Sequence, residues 1–214
     1  MIQEKAKRIW DISPLVTEKI AVFPGDVPFS REIALSFERG NHLALSAMKA
    51  TLHLGAHTDA SNHYHAKGEG IDCRPLEVYL GPAQVCSVNL PRGARILPEH
   101  VKGKIEARRV LFRTGSFPDP DQWNEDFNSL SPELIHFLAD QGVCLVGIDT
   151  PSVDPATSKG LESHQALFAR NVAVLEGIIL NQVPDGLYNL SALPLRLKDA
   201  DASPVRAILW ERDF

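Results

Sequence analysis

Short apolar or alternating runs recur along the chain, at Ile9–Ile12, Ala44–Leu54, Ala83–Leu90, Val110–Phe112, Val143–Ile148, Val172–Leu180 and Val205–Trp210. Their length and their content of branched residues predict strands. Val143–Ile148 is apolar on both alternating faces, which predicts a central strand covered on both sides. Helical patterning is scarcer. Ser131-Pro132-Glu133 supplies an N-cap, a proline at the first helical position and an early acid, and Gly142 closes the segment after Leu134, Leu138 and Ala139. A second helix is predicted over Leu161–Ala169, with Leu167 and Phe168 on its apolar side. Turns are expected at Pro24-Gly25-Asp26, Arg92-Gly93 and Asp185-Gly186. Strands outnumber helices and no linker divides the chain, so the prediction is one mixed, β-rich α/β domain over residues 1–214 with an N-terminal strand or arm.

Charge narrows the classes of partner. The formal net charge is −5 with a pI near 5.9, and no Lys/Arg-rich stretch offsets it locally, which excludes a field that attracts nucleic acid. Lys5, Lys7 and Arg8 are followed by Trp10 and Asp11 instead of the apolar core of a signal peptide. No run approaches the ~20 apolar residues of a membrane span. A cytoplasmic protein with a small-molecule substrate is the expectation. Three cysteines, Cys73, Cys86 and Cys144, are widely spaced and lack a C-x-x-C pair, so they read as small buried hydrophobes, Cys144 best of all.

The segment from His53 to His65 breaks this ordinary picture, because it holds four of the eight histidines within thirteen residues, with Asp59 among them. Imidazole nitrogens and carboxylate oxygens are the usual ligands of zinc and related divalent ions. A straight strand would hold the backbones of His53 and His57 about 13 Å apart. A continuous helix would turn Asp59 about 200° away from His57. The cluster is therefore expected where a strand ending near Leu54 breaks into an irregular turn at Gly55. His65, beside Lys67, and the isolated His42, His100 and His136 read as structural or solvent-facing.

Downstream, His164 stands at the head of the second predicted helix, and Glu176 is a carboxylate inside the apolar run Val172–Leu180. The helix advance and the returning strand allow the two to meet at one end. A buried Glu needs a partner, either a metal or a buried cation. No G-x-S-x-G elbow, dinucleotide glycine motif, P-loop or H-E-x-x-H competes for the chemistry.

The run His53-x-Gly55-x-His57-x-Asp59-x-x-x-His63 resembles the signature of the metal-dependent cyclase-type hydrolases, and within them the bacterial arylformamidase branch. Trp10-Asp11-Ile12-Ser13, Phe23-Pro24-Gly25-Asp26, the stretch from Gly147 to Asp154, and Leu175-Glu176-Gly177 are similar to further landmarks of that family, in order. The resemblance implies a swivelling β/β/α domain, assembled as a homodimer or larger. It implies two divalent ions per chain, zinc or else manganese: one on His53, His57 and Asp59, the other on Asp59, His164 and Glu176. It implies His63 as proton donor and acceptor, and Phe23 as the aromatic residue against the substrate. The activity implied is metal-dependent hydrolysis of N-formyl-L-kynurenine to L-kynurenine and formate, with another aryl or cyclic amide such as isatin as the alternative. Two residues depart from the family pattern: Phe23 replaces a frequent tryptophan and Ser61 a usual proline. Neither removes a ligand.

Overall fold

The computed structural model describes residues 8–212; Lys5 and Lys7 lie outside them. Its strands, in chain order, are β1 (Ile9–Asp11), β2 (Ser30–Leu35), β3 (Leu45–Lys49), β4 (His57–Asp59), β5 (Leu80–Ser87), β6 (Arg95–Ile96), β7 (Arg109–Arg113), β8 (Ser129–Leu130), β9 (Leu145–Ile148), β10 (Ala173–Leu175), β11 (Gly186–Ser191), β12 (Ala202–Pro204) and β13 (Ile208–Glu211). Helix α1 (Pro132–Asp140) precedes β9, and α2 (Glu162–Arg170) connects β9 to β10.

Seven strands form the main sheet in the order β1-β13-β11-β5-β7-β9-β10. The β1 to β5 side is antiparallel and the β5 to β10 side is parallel. Alternation along the parallel strands divides the core into two layers. Val110, Phe112, Val146, Ile148 and Val174 point to the face covered by α1 and α2, where they meet Leu134, Leu138 and Leu167. Leu111, Leu145, Ala173 and Leu175 point to the other face, where the curled sheet closes over Ile12, Tyr188, Leu190 and Leu209. Because both faces are covered, β9 reads as an unbroken apolar run, as expected for Val143–Ile148, and β7 as the apolar Val110–Phe112 between two arginines. The predicted start of α1 is also realised: Leu134 N–H donates to Ser131 Oγ at 3.1 Å, and Pro132 occupies the first turn, where its missing N–H costs nothing. The N-terminal strand is β1, paired antiparallel to β13 at the sheet edge.

Several expectations fail locally. The run Ala44–Leu54 yields only the five residues of β3, which pair with β2 in an exposed ribbon outside the main sheet. Its hydrophobicity marks the surface side chains Leu45 and Met48, not a core strand. The run Val172–Leu180 is a strand only over β10, so Glu176 stands just past the strand end. Of the cysteines only Cys86 is buried; Cys144 is half-buried and Cys73 exposed, since the tight turn around Ile71 inserts Ile71 instead. No helix among the described residues is long and apolar enough to cross a membrane.

Candidate active site

The parallel strands deliver their carboxyl ends to one place, the usual location of sites in such sheets. Asp149 follows β9 there, and Glu176 follows β10. A second sheet, β4 with β12, docks against the end of β10. His57 and Glu176 exchange backbone hydrogen bonds of 3.1 and 2.9 Å, and Thr58 Oγ1 donates to Val174 O at 2.6 Å. This docking brings the histidine cluster and the downstream half-site into one centre.

Gly55 provides the predicted turn, with φ +56, and its carbonyl accepts a hydrogen bond from His57 Nδ1 at 2.9 Å. A carbonyl can only accept, so His57 carries its hydrogen on Nδ1 and directs Nε2 inward. His53 precedes the turn and Asp59 ends β4, so an irregular turn followed by a short strand places the first three donors. His63 lies on a single 3-10 turn, Ser61–His63. Ser61 Oγ accepts from Glu69 N at 2.8 Å and donates to Glu69 O, a latch that a proline at this position lacks.

His164 sits in the first turn of α2 and is fixed by Asp154, a fully buried carboxylate. Asp154 accepts from the backbone N–H groups of Ser163 and His164 at 3.0 and 3.1 Å and from His164 Nδ1 at 2.8 Å. It therefore caps the helix and turns His164 Nε2 toward the centre.

Five inward groups converge. His53 Nδ1 and His57 Nε2 lie 2.9 and 3.5 Å from Asp59 Oδ1, and His164 Nε2 lies 3.3 Å from Asp59 Oδ2. Glu176 straddles the centre, with Oε2 3.2 Å from His57 Nε2 and Oε1 3.5 Å from His164 Nε2. All the site residues predicted as ligands are thus brought together, and Asp59 belongs to both of the sets His53/His57/Asp59 and Asp59/His164/Glu176. The donors fit a divalent cation. Asp59 Oδ1 and His164 Nε2 are buried and make no hydrogen bond, and a buried polar atom without a partner is costly. A cation between these lone pairs supplies that partner.

The electrostatics agree. Burial alone would lower His53, but the Asp59 and Asp201 carboxylates outweigh it and lift the imidazole to about 9. Burial would likewise lower His164, yet Asp154, Asp59 and Glu176 raise it well above the ordinary value. Asp59 is held well below the usual carboxylate range, the imidazoles of His164 and His53 overcoming its burial. His63 goes the other way: burial lowers it, which favours the neutral imidazole.

The centre forms the floor of a cavity of about 720 Å³. Phe23 stands on its wall with Trp123, their rings edge to face with centroids 5.0 Å apart, and Phe117 packs next to Trp123 at 6.0 Å. Trp123 gives the smaller Phe23 an aromatic neighbour that the sequence did not reveal. Asp201 was missed as well: its Oδ2 lies 3.0 Å from His53 Nε2 and 3.8 Å from His63 Nδ1. Lys198-Asp199-Ala200-Asp201 reads as a solvated turn, and no local pattern links it to His53, 148 residues away. The remaining histidines stay outside the centre, His65 stacked on Phe168 and His100 accepting from Leu97 N–H.

A family model described as "Putative cyclase" matches residues 10–155, and the chain belongs to that family. Among its relatives is the kynurenine formamidase of Bordetella petrii, 45% identical over 207 residues that cover 96% of this chain and 99% of that protein. A structure described as a "predicted metal-dependent hydrolase from Bacillus stearothermophilus" superposes with TM-score 0.82 at 25% identity, covering 97% of this chain and all of that one. Isatin hydrolase A from Labrenzia aggregata shares the fold at TM-score 0.81 and 22% identity, covering 97% of this chain and 94% of that one.

Proposed function

We propose that this chain hydrolyses N-formyl-L-kynurenine to L-kynurenine and formate. One observation carries the reading: three imidazoles and two carboxylates converge beneath an aromatic-walled cavity, with the buried Asp59 Oδ1 and His164 Nε2 left without a hydrogen bond. The formamidase relatives, matched over nearly their whole length, narrow the substrate from amides in general to this aryl formamide.

In this reading His53, His57 and Asp59 hold one divalent ion, and Asp59, His164 and Glu176 a second, with zinc as the metal and manganese as the alternative. Such ions lower the pKa of water and polarise an amide oxygen, so that attack near neutral pH becomes feasible. The protein's own groups do the rest. His63 is kept neutral by burial and can accept a proton from the attacking water. It returns that proton to the anilide nitrogen, which leaves poorly as an anion. The C–N bond then breaks to release the neutral aniline and formic acid, which loses its proton to water as formate. Phe23 and Trp123 offer ring edges and faces to the aryl group. A homodimer or larger assembly belongs to the same reading, supported by the exposed Ile33, Leu45 and Met48 of the β2–β3 ribbon, which no other element of the described chain covers.

The test pairs metal content per chain with hydrolysis of N-formyl-L-kynurenine and of isatin, before chelation, after it and after metal return. The expected result is two ions per chain, preference for the formamide, and activity that leaves and returns with metal. One ion per chain defeats the binuclear reading, full activity without metal defeats metal dependence, and preference for isatin moves the substrate to cyclic amides.

A further inference from the structure

Asp201 lies outside the two ligand sets assigned above, yet its carboxylate converges with His53 and His63, their donor atoms all within 4.8 Å of one another. The same oxygen, Oδ2, accepts from His53 Nε2 at 3.0 Å and lies 3.8 Å from His63 Nδ1. His53 and His63 themselves lean together, with ring centroids 4.2 Å apart.

The main chain that carries this half-exposed carboxylate is held by several hydrogen bonds, and the carboxylate itself by His53 Nε2. Ala60 N–H donates to Asp201 O at 2.8 Å, and the next residue begins β12, where Ala202 is registered opposite Asp59. Ile71 N–H donates to Ala200 O at 2.9 Å. Asn62 Nδ2 donates to Asp199 O at 3.1 Å, and Asp199 N–H to Asp72 Oδ1 at 3.0 Å. Asp199 adopts the left-handed region, with φ +56, a conformation that non-glycine residues keep only when their surroundings enforce it. The turn bearing Asp201 is therefore stapled to residues 60–72, the same segment that carries His63.

We infer that Asp201 is a positioning residue for the His63 acid/base, presenting a fixed carboxylate to Nδ1 so that Nε2 is the nitrogen that exchanges protons with the substrate. The inference rests on the role proposed above for His63. A carboxylate opposite one ring nitrogen selects the tautomer with hydrogen on that nitrogen, and it stabilises the imidazolium formed when the other nitrogen takes a proton. The separation of 3.8 Å exceeds a hydrogen bond, so the carboxylate acts by charge in the resting state. His63 gains a proton from the attacking water, and Asp201 favours that form. His63 then gives the proton to the departing nitrogen, and Asp201 again faces a neutral ring. Asp201 undergoes no net protonation.

A merely structural carboxylate would slow all substrates alike. One acting through proton donation matters most where the leaving nitrogen is most basic. The test is Asp201→Asn, with Asp201→Ser as a second variant, on N-formyl-L-kynurenine and on para-substituted formanilides from nitro to methoxy. Assays are run at saturating zinc, with metal content and thermal melting measured on the same samples. The expected result is a kcat about 10- to 100-fold lower on formylkynurenine with KM within about twofold, and a penalty that grows steadily from the nitro to the methoxy anilide. An equal penalty across the series overturns the proposal, as does an unchanged kcat, or a loss that tracks a lower metal content of the variant. A wild-type protein inert toward formylkynurenine defeats the proposed function alone, because the anilide series still tests Asp201.

Discussion

Gly177, beside Glu176, leaves no room for a side chain against the Gly55 turn of the other half of the centre, and Gly177→Ala therefore makes a demanding test. The residue follows Glu176, has φ +65, and donates its N–H to Thr150 O at 2.8 Å. A Cβ built on it would overlap the Gly55 carbonyl oxygen and stand 2.9 Å from the Gly55 carbonyl carbon. Both are backbone atoms, so no side chain can rotate away. The left-handed backbone costs a non-glycine residue about 1–2 kcal/mol. Overpacking adds about 1–3 kcal/mol. The sum, about 2–5 kcal/mol, lowers Tm by about 4–20 °C in a domain of this size. The displaced Gly55 carbonyl also holds His57 Nδ1, so His57 turns with it. Calorimetry on the metal-free variant, with metal content after reconstitution, should show both a lower Tm and less than the wild-type metal content. Gly93→Ala is the control, because Gly93 has φ +78 but nothing within 4 Å of its added Cβ. Equal Tm losses in the two variants, together with full metal content in Gly177→Ala, would refute the reasoning.

Four other outcomes are expected. His63→Ala should keep its metal and lose about 10²- to 10⁴-fold in kcat, whereas Asp59→Ala and Glu176→Ala should lose metal, all read by metal analysis beside steady-state kinetics. The pH dependence of the metal-free protein follows from His53, whose folded value of about 9 lies above its ordinary one: its stabilising contribution is complete below about 6.5 and disappears as pH rises through about 9, so Tm should fall over that window unless the assignment is wrong. Since a ligand imidazole must be neutral, zinc uptake at pH 7 should also release protons, measured as a buffer-dependent enthalpy in titration calorimetry. Trp123→Ala should raise KM for formylkynurenine by about 3- to 10-fold with little change in kcat, because the lost aromatic contact is worth about 0.5–1.5 kcal/mol; an unchanged KM removes Trp123 from the substrate wall.

What could be read locally was read correctly where local physics decides. Ser131, Pro132 and Gly142 delimit α1 because capping and backbone dihedrals depend on a few neighbouring residues. The buried parallel strands β7 and β9 announce themselves as apolar runs, since both their faces are covered. By contrast, Leu45 and Met48 made an exposed ribbon look like core, and β2, with Arg31 and Glu32 in its middle, offered no strand pattern at all. β11 did carry a signal, with Tyr188 and Leu190 buried and alternating with Leu187 and Asn189 after the Asp185-Gly186 turn.

The chemistry of the centre is written along the chain: the crowding of His53, His57, Asp59 and His63, the need for a turn at Gly55, and a carboxylate at Glu176 too apolar in its surroundings to stand alone. Which donors share a point is set by the folded chain. That decision is made by backbone hydrogen bonds, which β4 makes to Glu176 and to β12 whatever side chains those segments bear. Backbone pairing leaves no compositional trace, so Asp154 behind His164, Trp123 beside Phe23 and Asp201 between His53 and His63 were invisible until the chain had folded.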